Sequence, residues 1–412
     1  MWRGRALDNV TSMNLVSLNI ESIQIGHPLP FVLRGADGAL LAQKGYVIRT
    51  RDELVTMVAR GRQLCVDTDD SGGSHRAYLA QLQRMLIADT NLGEIAAMKM
   101  TAGEQETRAR GGKTLPDWPE LQLRATQILR APSVGDFSGR FQALHDELAR
   151  HCEQTPDATL LALIYLSAQE TRMYSATHSM LVSCVCMVVA REMLRWPQSQ
   201  VQRVGHVGLS MNIAMTELQD QLAQQTQPLT SAQIAAVEDH AARSETLLRQ
   251  LGVADPLWLE AVRCHHHRNP GPLDKKTEAQ QMARLVQRAD IFGARLAPRV
   301  ARSPMPVTAA MQASYYDEDH KVDEMGAALV KTLGVYPPGA FVRLASQEVG
   351  VVIRRGTTAT TPRVAVVTNR DGMPTGEPIP RESGMPPWKV TGVVAFKDVR
   401  VTLPLDRLLS MV

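Results

Sequence analysis

The sequence predicts a multidomain α+β protein. An all-α helical bundle forms the core, flanked by a small N-terminal α/β module and a C-terminal all-β module. Three observations predict this. The chain has 412 residues, too many for one small core. From Ala158 to about Leu333 apolar residues recur with the period of a helix. After Tyr336-Pro337-Pro338-Gly339 the period changes to two.

The modules are expected at 13–70 (small mixed α/β), 71–135 (linker and helical connector), 136–335 (helical domain) and 336–412 (small β-barrel or sandwich). In the first, Pro28–Leu33 and Ala39–Ile48 read as strands around the turn Ala36-Asp37-Gly38. Thr50 with Glu53 forms a capping box for a short helix, and Gln63–Asp67 returns as a strand. Met13 is read as the start, because the folded pattern begins just after it. In the connector, Tyr78–Ala88 reads as helical, and the charged, Gly-containing Gly103–Lys113 as a mobile linker. Trp118–Leu129 and Phe137–Cys152 show helical periodicity.

Within the core, Thr177–Leu194 and Val201–Gln225 each read as one long helix. Thr230 with Gln233 and Thr277 with Gln280 are capping boxes. Asp255-Pro256 supplies an N-cap and a first-turn proline, and Gly252 a C-terminal stop. Beyond it, Phe341–Leu344, Val349–Arg354, Val364–Thr368, Val390–Val394 and Val399–Leu403 read as strands.

Composition narrows the function classes. A net charge of +3, with both signs mixed, and only 4% aromatic residues argue against DNA or RNA as a partner. No apolar run reaches the ~20 residues needed to cross a bilayer, and no signal peptide follows Met-Trp-Arg-Gly-Arg. Five cysteines without framework spacing read as free, buried thiols in a reducing cytoplasm. Cys184 and Cys186 read as packing residues. No Gly-rich phosphate cradle stands at a strand–helix junction. Arg354-Arg355 reads as a solvated face or an edge guard.

The informative stretch is Cys264-His-His-His-Arg268, just before Asn269-Pro-Gly-Pro272. Adjacent helical residues point about 100° apart, so three adjacent histidines cannot share one pocket. Two at a loosened helix end can. His178 and His240 lie on other helical stretches, and Asp290 lies inside an apolar helical pattern. Inward-facing His and Asp on separate helices are what a helical-bundle metal site requires. Each has a plainer alternative. His178 and His240 are core histidines bonded to carbonyls, His265 and His266 a solvated helix end, and Asp290 a buried carboxylate paired with a His or Arg.

The ordered set His178, Met211-Asn212-Ile213-Ala214-Met215, His240-Ala241, His265-His266 and Asp290 resembles the HD-GYP family of bacterial cyclic-di-GMP phosphodiesterases. That family is a branch of the HD phosphohydrolases, and the resemblance covers roughly Leu160–Leu333. It implies an HD-type bundle and a metal held by His178, His240, His265, His266 and Asp290. The departures are as specific. His-Asp has become Met211-Asn212, the Gly-Lys that follows has become Ala214-Met215, the Glu after the paired His has become His267, and the Gly-Tyr-Pro loop is reduced to Asn269–Pro272.

These departures strike metal, bridge and phosphate contact together. Two ions ~3.5–4 Å apart need an anionic bridge, and Asn212 carries no charge. Two dications ~4 Å apart repel by ~4 kcal/mol per pair of unit charges at an effective dielectric of 20, multiplied about fourfold by the product of charges. Met211 offers a thioether, a poor ligand for iron or manganese, and Met215 removes an ammonium that would meet phosphate.

The resemblance therefore implies a protein of cyclic-di-GMP signalling, binding or regulatory, with weak or no phosphodiesterase activity. The alternatives are an active metal-dependent phosphodiesterase and a protein-binding scaffold. One divalent metal, Fe or Mn, or none is expected. The expected partners are a cyclic dinucleotide or a signalling protein, with a homodimer allowed, in the cytoplasm. His178, His240, His265 or His266, and Asp290 should converge on one pocket floored by Met211 and Asn212.

Overall fold

The computed structural model describes residues 15–17, 29, 32–37, 39–43, 46–61, 64–67, 116–169, 171–300, 304–399, 401 and 404–412. The expected helix Tyr78–Ala88 and linker Gly103–Lys113 lie outside the described residues. The chain divides into two compact units, Met1–Glu120 and Leu121–Val412.

In the first unit, β1 (Leu15–Ser17), β2 (Leu33–Gly35), β3 (Leu40–Ala42) and β4 (Leu64–Asp67) form an antiparallel sheet ordered β1-β4-β2-β3. Helix α1 (Arg51–Gly61) lies between β3 and β4 in the chain. Leu29, Leu33, Ala42, Ile48 and Leu64 make its core. The first strand lies at Leu33–Gly35, beginning where the expected Pro28–Leu33 ends, and of the rest of that expected span only 29 and 32 are described; the second covers only Leu40–Ala42 of the expected Ala39–Ile48. The second stops because the chain turns at Gln43, whose carbonyl accepts from Tyr46 N at 3.1 Å. The capping box is half made. Thr50 Oγ1 accepts from Glu53 N at 3.2 Å, but the Glu53 carboxylate turns to Tyr46 Oη (2.6 Å) and Arg49 N (2.9 Å).

The second unit is helical up to Leu333. Its helices are α2 (Trp118–Arg130), which begins at the boundary, α3 (Phe137–Gln154), α4 (Pro156–Ser167), α5 (Tyr174–Glu192) and α6 (Gln198–Ser210). Then come α7 (Thr216–Gln224), α8 (Ser231–Glu238), α9 (His240–Gln250), α10 (Pro256–Cys264), α11 (Glu278–Leu296), α12 (Val307–Tyr315) and α13 (Glu324–Leu333). Helix α5 is the axis. Every residue from Tyr174 to Ala190 is buried. A helix apolar all round must be covered all round, and α3, α4, α6, α7, α11 and α13 pack on it. The closest approach is to α6, where a Cβ on Gly208 would meet the Ser183 backbone at 2.9 Å. Ser183 Oγ donates there to Gly205 O at 2.8 Å.

The caps form where expected. Capping boxes close at Thr230/Gln233 and Thr277/Gln280, and Asp255 accepts from Leu257 N and Trp258 N. Gly252 stops α9 with φ +90°. The expected single helix Val201–Gln225 does not form. It breaks at Met211-Asn212, followed by a 3-10 turn at Ile213–Met215. Ala214 N donates to Ser244 Oγ on α9 at 3.2 Å, so the turn is bonded across to a neighbour and does not continue α6.

After Pro337-Pro338 come β5 (Phe341–Leu344), β6 (Val349–Arg354), β7 (Arg363–Thr368), β8 (Pro374–Glu382), β9 (Val390–Val393) and the short α14 (Leu405–Leu409). The strands form one antiparallel sheet ordered β8-β7-β6-β5-β9, with Phe341 opposite Val351 and Val352 opposite Val364. The expected strand Val399–Leu403 is a correction. Phe396–Asp398 form a 3-10 turn, Val399 and Val401 belong to no strand, and 400, 402 and 403 lie outside the described residues. The fifth strand is β8, masked in the sequence by Pro374, Pro380 and exposed polar residues. Arg355 is a second correction. It is no edge guard, since its guanidinium bonds Asp157 at 2.6 Å, Glu192 at 2.6 and 3.0 Å, and the Thr332 carbonyl at 3.1 Å. Arg354 remains largely exposed.

All five cysteines are free, four of them buried. One buried titratable pair marks the packing of α3 on α6. His145 is fully buried with its ring 3.9 Å from that of His206, beside Phe141 and Trp258. Burial, then the charge of His206, pushes His145 down to about 3. The unfolded chain takes up that proton as pH falls through 6.5, and the folded chain does not until near 3. Stability is therefore lost on acidification across that window. His145 alone should lower the unfolding free energy by about 2 kcal/mol between about pH 8 and pH 5. Urea unfolding at the two pH values measures it, and His145→Leu should flatten that part of the profile.

Candidate metal centre

Helix α9 opens on His240, and α10 closes into His265 and His266. Both buried rings are oriented by their own backbone. His240 Nδ1 lies 2.5 Å from Val237 O, and His265 Nδ1 lies 2.6 Å from Val262 O. A carbonyl only accepts, so these neighbours assign the ring proton to Nδ1 in each case. The Nε2 atoms are then both lone pairs, and they face each other at 3.2 Å. Burial lowers the proton affinity of both rings, that of His265 to about 3. Neither is protonated at neutral pH to relieve the opposition of lone pairs.

His266 completes the group. Its ring lies 4.1 Å from that of His265 and 4.9 Å from that of His240, and one ring nitrogen from each of the three lies within 4.8 Å of the others. His266 is exposed, so the trio opens to solvent on one side. His267 and Arg268 point outward.

His178 and Asp290 form a pair of their own. His178 Nε2 lies 2.7 Å from Asp290 Oδ1. The imidazole is buried and stacked on Tyr174, one turn earlier on α5, at 5.6 Å between centroids. Gly293 also approaches the ring, where a Cβ would lie 3.0 Å from Nδ1. Burial alone would raise the Asp290 carboxyl. The hydrogen bond and charge of His178, with His266 and His265 beyond, outweigh burial and hold it well below the carboxylate range. Asp290 also acts on His240 and His265. The structure thus draws the expected set together as a histidine trio beside a His–Asp pair. The plainer alternative for Asp290, pairing with a histidine, is present as well.

The stretch Met211-Asn212 is also buried. Met211 and Asn212 are 0% and 2% exposed, and the turn after them packs on α9. Asn212 Oδ1 has no hydrogen-bond partner. An orphaned buried amide oxygen is unfavourable by about 1–3 kcal/mol. Met215 turns away and lines a neighbouring cleft. Tyr174, which its spacing of four places on the same face as His178, stacks on that ring. The plainer alternative for His240, a bond to a carbonyl, is also present in the contact with Val237 O, whereas sequence reasoning missed the carbonyl of Val262 beneath His265.

No family model matches the chain. Over 228 residues it is 28% identical to the cyclic di-GMP phosphodiesterase PA4108 of Pseudomonas aeruginosa, an alignment covering 54% of each chain. The chain thus spans about half the length of that curated relative. Among solved structures it is similar to Bd1817, an HDG"Y"P protein from Bdellovibrio bacteriovorus. The identity is 14%, the TM-score 0.43, and the match covers 77% of this chain and 98% of that one.

The contact of Gly293 with the His178 ring generates a test. In Gly293→Ala the new methyl would lie 3.0 Å from Nδ1 and 3.1 Å from Cε1, so the ring must give by a few tenths of an ångström against its bond to Asp290. The expected loss is about 1–3 kcal/mol of stability, as for overpacking elsewhere. Chemical unfolding measures the loss, and the ring NMR signals of His178 should shift with it.

Proposed function

We propose that the chain is an HD-GYP-type protein of bacterial cyclic-di-GMP signalling that binds its ligand at a single-metal site and hydrolyses it weakly or not at all. The likeness to a cyclic di-GMP phosphodiesterase supports the class. The observation that carries the reading is the 3.2 Å between the Nε2 atoms of His240 and His265. At a metal–nitrogen distance of about 2.1 Å this separation corresponds to an N–metal–N angle of about 100°, between octahedral and tetrahedral. The donor set fits one divalent ion, iron or manganese, with His240, His265 and His266 as ligands and Asp290 as the neighbouring anion. Such an ion supplies Lewis-acid polarisation of a phosphate oxygen.

A second ion does not fit as well. His178 is committed to Asp290. Asn212 is buried without charge, and Met211 presents no imidazole. The chain thus places one carboxylate, Asp290, beside the trio, already bonded to His178, and no second one at Asn212 to bridge two ions. The second reading, an active phosphodiesterase, is favoured by the complete histidine trio and by the activity for which the curated relative is named.

Metal analysis of the purified full-length chain separates the two. One divalent ion per chain is expected, lost in His240→Ala and in His265→Ala. Cyclic di-GMP should be bound but not turned over. The double change Met211→His with Asn212→Asp should raise the metal content towards two. Wild-type protein carrying two tightly bound ions and hydrolysing cyclic di-GMP would establish the enzymatic reading instead.

A further inference from the structure

His240 and His265 are oriented by the carbonyls of Val237 and Val262. Among the described residues the exposed His266 ring has no such bond, so its place beside the other two is set by its backbone. That backbone is fixed on one side by the turn that closes α10, where His267 N donates to Cys264 O at 2.9 Å. On the other side it runs into Asn269-Pro270-Gly271-Pro272. The two prolines restrict φ, and Gly271 sits at φ +99°, where a side chain would be strained. Such a stretch has few shapes, and its tether decides where it lies.

Lys276 is the tether. Its Nζ donates to Asn269 O at 2.7 Å, to Asn269 Oδ1 at 3.2 Å and to Pro270 O at 3.0 Å. An ammonium has three N–H donors, and all three are used on two adjacent residues. A lysine head is strongly hydrated and ordinarily left in water, yet here it is committed to neutral oxygens. The clasp is anchored in turn. Gln281 Nε2, on α11, donates to Leu273 O at 3.0 Å and to Lys276 O at 3.1 Å, and Thr277, next to the lysine, caps α11. Lys276 thus joins the exit of the helix that ends in the histidines to the start of the helix that carries Asp290.

We propose that Lys276 is a positioning residue of the metal centre: by clasping Asn269 and Pro270 it holds the chain leaving α10 so that His266 stays beside His240 and His265. The inference rests on the single-metal reading for what the trio holds, and on contacts within this chain for how His266 is placed. Without the clasp the His266 backbone regains freedom that a metal must remove on binding. Affinity then falls although no ligand is lost. The sign is diagnostic. Removing a positive charge near a cation site strengthens cation binding by Coulomb's law, so a weakening reports lost placement.

The test is titration of the metal-free full-length chain with Mn(II), the free ion being read by its electron paramagnetic resonance. Lys276→Met should weaken binding about tenfold, as loss of outer supports does at other metal sites. His266→Ala should weaken it at least as much, and the double variant no further, because the lysine acts through that ring. In the metal-free protein, Lys276→Met should shift the ring NMR signals of His266 and leave those of His240 and His265 in place. Asn269→Ala, which removes only the 3.2 Å contact, should move both readouts the same way by less, and it decides the matter should the lysine variant not fold. Mn(II) affinity that is unchanged or raised in Lys276→Met, or a loss that adds in full to that of His266→Ala, would overturn the inference and leave the single-metal reading intact. Wild-type protein that binds no Mn(II), with His266 signals that still move in Lys276→Met, would remove the metal reading and keep the placement of His266. No Mn(II) binding with unmoved signals would remove both.

Discussion

A helix with no exposed side has to be surrounded, and α5 imposes that constraint on everything after residue 120. Seventeen consecutive buried residues leave it no face for water. Six helices cover it, and the nearest can approach because Gly205 and Gly208 on α6 carry no side chain to hold them off. A fully buried helix tolerates polar groups only where they find partners. Ser183 finds the Gly205 carbonyl, Thr177 accepts from Gln122, and Ser175 bonds Asp220. His178 alone reaches a charged group on α11. The site therefore sits where the buried stretch of α5 meets a carboxylate of α11, while the helix's other ion pair, Glu192 with Arg355, lies at its end. Nearby, α11 buries Arg284 and Arg288 against Asp323, Glu318 and the Tyr316 carbonyl, so the helix bearing Asp290 is anchored over a long stretch.

Much of this was legible in the chain itself, and the reasons for failure are as physical as those for success. Capping pairs at Thr230 and Thr277 are local, so their chemistry acts on a few residues and is read correctly from them. Strands β5, β6 and β7 are apolar runs bounded by turns. Strand β8 has three prolines and an exposed surface, and it is held by pairing with β7 rather than by burial. No periodicity announces such a strand. The break at Met211-Asn212 is set by a bond to Ser244 thirty-two residues away from Asn212, which no window of local sequence contains. Among the site residues, order along the chain was enough to select five positions. Their division into a trio and a pair was not readable. It depends on ring orientation, which carbonyls of Val237 and Val262 decide.

The two histidines whose lone pairs oppose each other illustrate a general property of binding sites. Folding places them against their own electrostatic preference, because the carbonyl bonds on Nδ1 and the packing around the rings are satisfied first. The mismatch left over is of the kind that a bound cation would relieve. Asn212 carries a mismatch of another kind. Its buried amide oxygen has no hydrogen-bond donor.

Arg355 gives the C-terminal sheet a different standing from that of an appended module. Its guanidinium belongs to the segment after β6, but its partners are Asp157 at the start of α4, Glu192 at the end of α5 and the last turn of α13. A chain cut after the helices would retain both carboxylates, half-buried Asp157 and the more exposed Glu192, without their shared cation. Recombination that exchanged the sheet for another would meet the same obstacle unless an arginine arrived at that position. The helical bundle and its sheet are therefore expected to be inherited as one piece, with Arg355 as the residue that makes them inseparable.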